Sequence, residues 1–437
     1  MLDGAEPDFL LGAASSAYQI EGGNHNDWTT WETGHYPDGS PHVAGGASAA
    51  RAADSWNLWR ADLAALQLIG ANTYRLGIEW SRLEPEEGAW DQAAAAHYQE
   101  MLQALVAAHV RPMVTLYHFT LPPWLARRGG WEWSGAPAAF AAFAARAGAA
   151  FGAAVDLWCT INEPNVYVAK GYLAGQWPPG LKEPRRAGEV LRALMKGHAL
   201  ATAALRRADV VDADGDGRPT RIGIAQNLRL FDPASANPID GLVAGYATRF
   251  YNDSFLEAVA NGRIRISIPG AIDIDEPYPA LAGTFDYLGV NYYTRELVIG
   301  HLRGPDHYVP TASPDRPRND LGWEIYPEGL YRLLIRYSTY RWPLLITENG
   351  MADNQGDRRG EFIRAHIYAL DRARGEGINV IGYLYWSLTD NFEWSHGYRG
   401  RFGLFSIDFD YDPALTRRPT AAVPVFQEAA RNLGLLH

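Results

Sequence analysis

The chain has 437 residues, 47% of them hydrophobic and 20% charged, which is enough apolar material for a large core and too much for a disordered chain. Asp and Glu total 50 against 39 Lys and Arg, and the net charge of −11 argues against nucleic acid and against an anionic membrane surface as partners. Length alone suggests about three domains at roughly 150 residues each, although an α/β barrel occupies such a length as one.

The first apolar run, Phe9–Ala14, is short and follows acidic residues, so it does not read as a secretory signal. No apolar run approaches the roughly 18 residues that a membrane-spanning helix needs. Cys159 is the only cysteine. No intrachain disulfide or thiolate metal cluster is therefore expected, and a cytoplasmic location is.

In chain order, short β-rich runs fall at Phe9–Ala13, Asn72–Ile78, Arg111–His118, Asp156–Asn162, Arg221–Asn227, Phe285–Asn291, Leu344–Glu348 and Val380–Trp386. Between them lie helix-compatible stretches: Ser55–Ile69, Ala93–Ala108, the Ala-rich Ala138–Ala154, Glu189–Arg207, Pro327–Tyr340 and Gly360–Glu376. Eight strands alternating with helices read as a (β/α)8 TIM barrel, and residues 1–437 as a single domain built on it. The unbroken apolar run Pro343-Leu344-Leu345-Ile346 suits a parallel sheet covered on both faces. An open doubly wound sheet is the competing architecture. No G-x-G-x-x-G or Walker pattern follows any strand, which argues against it.

Several strands end in polar or charged clusters: Arg75 and Glu79, Tyr117-His118, Asn162-Glu163, Asn291-Tyr292-Tyr293, Glu348-Asn349 and Trp386. In a barrel all the C-terminal strand ends face one mouth, where such enzymes keep their chemistry. Glu163 and Glu348 stand at the ends of the fourth and seventh strands. Cleavage of a glycosidic bond needs two carboxyl groups at the anomeric carbon, one protonated and one ionised. Arg75 is a cation that could keep Glu348 ionised, and Asn162 could bind a sugar hydroxyl beside Glu163. Taken singly, either glutamate could equally be a structural ion-pair partner.

The motifs, in order, resemble those of glycoside hydrolase family 1, the β-glucosidase family, over essentially the whole chain. They are Phe9-x-x-Gly12 through Tyr18-Gln19-Ile20-Glu21-Gly22; Arg75 and Trp80-Ser81-Arg82; Tyr117-His118 with Leu121-Pro122; and Thr160-Ile161-Asn162-Glu163-Pro164. Asn291-Tyr292-Tyr293, Gly322-Trp323-Glu324-Ile325-Tyr326-Pro327-Glu328-Gly329, Thr347-Glu348-Asn349-Gly350, Asn391-Phe392-Glu393-Trp394 and Arg401-Phe402-Gly403-Leu404 continue the pattern.

The resemblance implies a catalytic barrel that hydrolyses β-glycosides with retention. Glu348 would be the nucleophile and Glu163 the acid/base, with Arg75, Asn162 and Tyr293 in support. Their carboxyl groups would lie roughly 5–5.5 Å apart. It further implies sugar contacts from Gln19, His118, Asn162, Asn291, Glu393 and Trp394. Trp386 would form a floor under the ring, and Trp323 would stand on the leaving-group side. β-Glucosidase activity with β-galactosidase and β-fucosidase side activity is expected, on small β-glycosides and oligosaccharides. A transglycosidase using the same site, or a catalytically inactive sugar-binding relative, stays open.

Two departures from the family pattern matter. Phe119 follows His118 where many members have Trp, and Phe cannot donate a hydrogen bond. Trp131 or Trp133 from the next loop is the candidate substitute. The 6-phosphoglycosidases of the family carry Ser, Lys and Tyr where this chain has Glu393, Gly400 and Phe402, so a non-phosphorylated sugar is expected. The run Asp212-Ala213-Asp214-Gly215-Asp216-Gly217 opens like a calcium loop, but Gly223 falls where a bidentate Glu is needed, so it reads as an acidic surface turn. The His residues form no ligand spacing. No metal and no cofactor are expected.

Overall fold

The computed structural model describes residues 9–218, 220–301 and 308–436. Its centre is a closed barrel of eight parallel strands: β1 (Leu10–Ala14), β2 (Thr73–Gly77), β3 (Arg111–Tyr117), β4 (Leu157–Asn162), β5 (Arg221–Asn227), β6 (Leu288–Tyr292), β7 (Leu344–Asn349) and β8 (Val380–Trp386). Each strand pairs with its neighbours in chain order, and β8 closes on β1. After each strand, besides shorter helical turns and the helix Pro238–Ala247, comes the helix that leads back to the next strand or closes the chain: α1 (Ser55–Ile69), α2 (Gln92–Ala107), α3 (Ala136–Phe151), α4 (Pro184–Ala208), α5 (Ser254–Asn261), α6 (Pro327–Tyr337), α7 (Arg359–Gly375) and α8 (Val423–Asn432). The expected (β/α)8 barrel is therefore the observed fold.

Alternation along the strands sorts the apolar residues into two layers. Met113, Leu157, Cys159, Leu345 and Leu384 from different strands cluster in the barrel interior. Val114, Trp158, Ile346 and Tyr385, one position on, pack in the layer shared with the helices. Two glycines are set by close approach. A Cβ on Gly12 would lie 1.7 Å from the Thr73 carbonyl oxygen, and one on Gly350 would lie 1.9 Å from that of Trp386. Only a residue without a side chain lets these strand ends meet.

The sixth strand starts at Leu288 rather than Phe285. The residues before it are tied by one backbone bond, from the Asp286 amide to the Ile222 carbonyl at 2.8 Å, and by side chains. Asp286 accepts from the Ile222 amide at 2.9 Å and from Arg206, while Phe285 packs on Trp342 at 5.0 Å.

The connection after β5 is richer than expected. It holds an antiparallel hairpin, Arg263–Ile268 with Ile272–Pro277. Strands Leu230–Pro233, Arg295–Gly300 and Tyr308–Thr311 form a small sheet. The first two leave the C-terminal ends of β5 and β6, so this sheet stands at the mouth of the barrel. Among the described residues no helix is long and apolar enough to cross a membrane.

Candidate active site

Register brings the two glutamates to one place. Asn162, at the end of β4, is level with Ala225 in β5; Asn227 in β5 is level with Asn291 in β6; and Asn291 is level with Glu348 in β7. Glu163 follows β4 immediately, with φ +45° and ψ 59°. This left-handed conformation costs a non-glycine residue of order 1 kcal/mol. Its amide remains bonded to the Ala225 carbonyl at 2.7 Å.

The surroundings of the two carboxyl groups differ in kind. Arg75, fully buried in β2, donates to Glu348 Oε1 at 2.5 Å, and the Tyr293 hydroxyl donates to Oε2 at 2.5 Å. Glu163 Oε1 receives only neutral amides, from Asn227 at 2.8 Å and Asn291 at 2.9 Å. Arg75 is itself held by Thr115 Oγ1 at 3.0 Å and by Asn162 Oδ1 at 2.7 Å. Burial first, and then the charge of Glu348, push Glu163 up to about 7, against the pull of the two asparagines. Burial also raises Glu348, but there the Arg75 guanidinium and the Tyr293 hydroxyl oppose it. A shared proton therefore settles on Glu163, and the group facing the guanidinium ionises.

A cavity of about 260 Å³ opens above this pair, and Gln19, His118, Asn162, Trp323, Trp386, Glu393 and Trp394 line it with the two glutamates and Tyr293. Burial and the charge of Arg75 hold His118 well below the usual histidine range, so its imidazole is neutral. Asn162 is oriented by two donors on its oxygen, Arg75 and Asn291, and so turns its amide nitrogen to His118 Nε2 at 3.0 Å. Nδ1 of His118 then carries the proton and has no partner among the described residues. Glu393 is pushed up to about 8 by burial and then by the charges of Glu348 and Glu163. Gln19 is spent on the protein: its amide donates to the Phe392 carbonyl at 2.8 Å and to Asn391 at 3.1 Å, while its oxygen accepts from Ser16.

Three expectations need correction. Asn291, expected among the sugar contacts, is fully buried behind the carboxyl groups. Its amide serves Asn162 and Glu163, and its oxygen accepts from Thr347 at 2.7 Å, so no polar atom is left for a ligand. Trp131 lies outside the cavity, in the layer between strands and helices, with its ring 5.4 Å from Tyr117 and 5.5 Å from Phe140. Trp133 is covered by the Arg128 guanidinium at 4.6 Å and does not reach the cavity either. Both belong to the segment that turns away from the mouth into α3.

The indoles beside Phe119 are instead Trp394, at 5.2 Å, and Trp177, at 4.8 Å, from the connection after β4. The Trp177 N–H faces Ser395 Oγ at 3.3 Å. Sequence reading missed Trp177, Asn227, Lys170, Arg229 and Glu296, all of which line the cavity. The aromatic in Gly175-Gln176-Trp177-Pro178-Pro179-Gly180 was a usable signal, because it falls in the connection that leaves the C-terminal end of β4, where such connections gather at the mouth. Glu79, grouped with Arg75 by sequence, is structural. It accepts from Asn26, Ser81 and Thr120 away from the cavity.

In the acidic turn the carboxylates of Asp212 and Asp214 lie with that of the buried Asp156, their oxygens within 4.8 Å of one another. Asp212 and Asp214 accept from backbone amides of their own loop, and Asp214 pairs with Arg221 at 2.8 Å.

A family model described as glycosyl hydrolase family 1 matches residues 4–435. A β-galactosidase of Pyrococcus woesei is 31% identical over 98% of this chain and 97% of its own length. The 6-phospho-β-glucosidase GmuD of Bacillus subtilis is 31% identical over 98% of this chain and 97% of its own. The solved structure of a Thermotoga maritima β-glucosidase in complex with deoxynojirimycin superposes with a TM-score of 0.87 at 29% identity, covering 99% of each chain.

Proposed function

The chain belongs to glycosyl hydrolase family 1 and is a hydrolase of glycosidic bonds, and we propose that it is a retaining, exo-acting β-glycosidase for non-phosphorylated sugars. Within that class we read it as a β-glucosidase with β-galactosidase and β-fucosidase side activity, residues 1–437 acting as one catalytic domain. The lone buried cysteine and the net charge of −11 fit a cytoplasmic protein whose partners are small β-glycosides and oligosaccharides.

The observation that carries the reading is the unequal environment of the two carboxyl groups, guanidinium and phenol on Glu348 against neutral amides on Glu163. In the first step Glu348 Oε attacks the anomeric carbon as the bond to the leaving oxygen breaks. Glu163 gives that oxygen its proton. The ester that forms is neutral, so the charge that held the Glu163 proton disappears when Glu163 must become a base. It then takes a proton from water, whose oxygen attacks the anomeric carbon and frees Glu348. Two inversions return the β-anomer.

A cavity of about 260 Å³ bounded by Trp386, Trp394 and Glu393 suits one terminal sugar, which supports exo action. Glu393, raised to about 8, offers a phosphate no cation, and neither Gly400 nor Phe402 beside it supplies one. A Cβ on Gly400 would lie 3.5 Å from Glu393 Cγ.

The test is hydrolysis of nitrophenyl β-glucoside by wild type, Glu348→Ala and Glu163→Ala, following the anomer released. β-Anomer first, with Glu348→Ala inactive, is the expected result. A wild type inert on the β-glucoside, β-galactoside and β-fucoside would make the chain a sugar-binding relative instead, and faster turnover of a 6-phosphoglucoside would refute the choice of sugar.

A further inference from the structure

The cavity has a charged end that the double displacement does not use. A group that protonates the leaving oxygen must stand on the leaving-group side, so the side chains next to Glu163 border the departing group. Lys170 follows Glu163 through the short helix Pro164–Val168 and a wide turn over Ala169–Leu173. Arg229 lies just beyond Asn227, which donates to Glu163. Both line the cavity with Trp323 and Glu296.

The charges there do not cancel. Arg229 is paired with Glu296 at 2.9 Å, and the Tyr308 hydroxyl adds a donor to the same oxygen at 2.6 Å. Lys170 donates to the neutral Gln176 Oε1 at 2.7 Å, and among the described residues no carboxylate forms an ion pair with it. His396, also in the wall, is held below the usual histidine range by burial and then by Lys170 and Arg399, so it is neutral. Lys170 itself is pushed down to about 8, by burial and then by Arg229, against the pull of Glu296. One positive charge is left over at this end, in a chain whose net charge is −11. An uncompensated cation in a partly water-excluded wall is a recognition element for an anion. Beyond Lys170 and Trp323 the cavity continues into a wider cleft of about 1010 Å³, which has room for the rest of a leaving group.

We propose that the leaving-group side selects glycosides whose aglycone is a ring bearing a carboxylate, with the ring against Trp323 and the carboxylate on Lys170. The proposal rests on the glycosidase reading above.

The probes are 4-carboxyphenyl and 4-carbamoylphenyl β-D-glucoside, which match in shape and differ in charge. The quantity read is the ratio of their kcat/KM values, so that leaving-group chemistry cancels between enzyme variants. Lys170→Met should lower the carboxylate-to-carboxamide ratio by about five- to tenfold, Lys170→Arg should keep most of it, and Glu296→Gln should raise it. High salt should compress the ratio in wild type. A parallel pair, a disaccharide ending in a uronic acid against its neutral counterpart, tells which ring is preferred: the pair with the larger ratio names the source. Equal losses on both aryl probes in Lys170→Met, or a ratio that Lys170→Met and Glu296→Gln move in the same direction, overturns the proposal alone. A wild type that hydrolyses none of the probes overturns the glycosidase reading and the proposal with it.

Discussion

At the sugar end of the cavity Glu163, Glu348 and Glu393 stand together, and of these only Glu348 is paired with a guanidinium, so the least compensated of them should weaken the fold. Glu393 has the ordinary 4.5 of a glutamate in the unfolded chain and about 8 in the folded one, raised by burial and then by its two acidic neighbours. A raised folded value means that the stability is complete below 4.5 and is lost progressively as pH climbs through about 8. The difference corresponds to about 4 kcal/mol by pH 8, and partial exposure of the side chain to solvent reduces this to about 2 kcal/mol. Gln reproduces the protonated acid, with one donor and one acceptor, but never ionises. Glu393→Gln should therefore leave the melting temperature nearly unchanged at pH 5 and raise it at pH 8. With an unfolding entropy of about 2.1 cal/mol/K per residue over 437 residues, the gain is about 2 °C. Differential scanning calorimetry of both proteins from pH 5 to pH 8 measures it. A gain that is flat with pH, or that shrinks as pH rises, would refute the electrostatic account of the cavity.

Other outcomes follow from the same contacts. Because Glu163 must start protonated and is raised to about 7, kcat/KM should fall as pH rises above about 7. Asn227→Ala, which deletes a donor to its ionised form, should move that limb to higher pH in a pH–rate profile. Tyr293→Phe removes a 2.5 Å charge-assisted hydrogen bond to Glu348. Such a bond is worth about 1.5–3 kcal/mol, so kcat/KM on a nitrophenyl glycoside should drop about 10- to 100-fold, and an unchanged value would remove Tyr293 from the machinery. Trp177→Ala should raise KM, whereas Trp131→Phe should alter the unfolding midpoint and leave KM alone. The reverse pattern would restore Trp131 as the cavity indole.

Strand ends were legible because they obey short-range rules. A β-rich run that stops at Asn162-Glu163-Pro164 or Glu348-Asn349-Gly350 carries its own boundary, since Pro cannot extend the ladder and Gly350 alone fits against Trp386. Both glutamates were placed at the mouth this way, whereas the role of Tyr293 came from the resemblance to the family. The hairpin after α5 was legible too, for Arg263-Ile264-Arg265-Ile266-Ser267-Ile268 alternates strictly before Pro269-Gly270, yet a search for barrel strands passes over it because it lies outside the barrel. Asn227, Trp177, Lys170 and Arg229 were not read. Their importance depends on which loops meet over the mouth, and no periodicity within a segment reports that. Asn291 shows the opposite limit: its motif places it at the site, but only the register with Asn162 and Thr347 reveals that its polar atoms face the protein.

The central claim is that Glu348 bonds covalently to the sugar. A 2-deoxy-2-fluoro glucoside with a dinitrophenyl leaving group tests it directly, because fluorine slows both steps and the good leaving group restores only the first. Intact-mass measurement after incubation, followed by peptide mapping, should show one glycosyl adduct on the peptide containing Thr347-Glu348-Asn349-Gly350, absent in Glu348→Gln. An adduct on another residue, or steady turnover of this substrate with no adduct at any time, would contradict the double displacement.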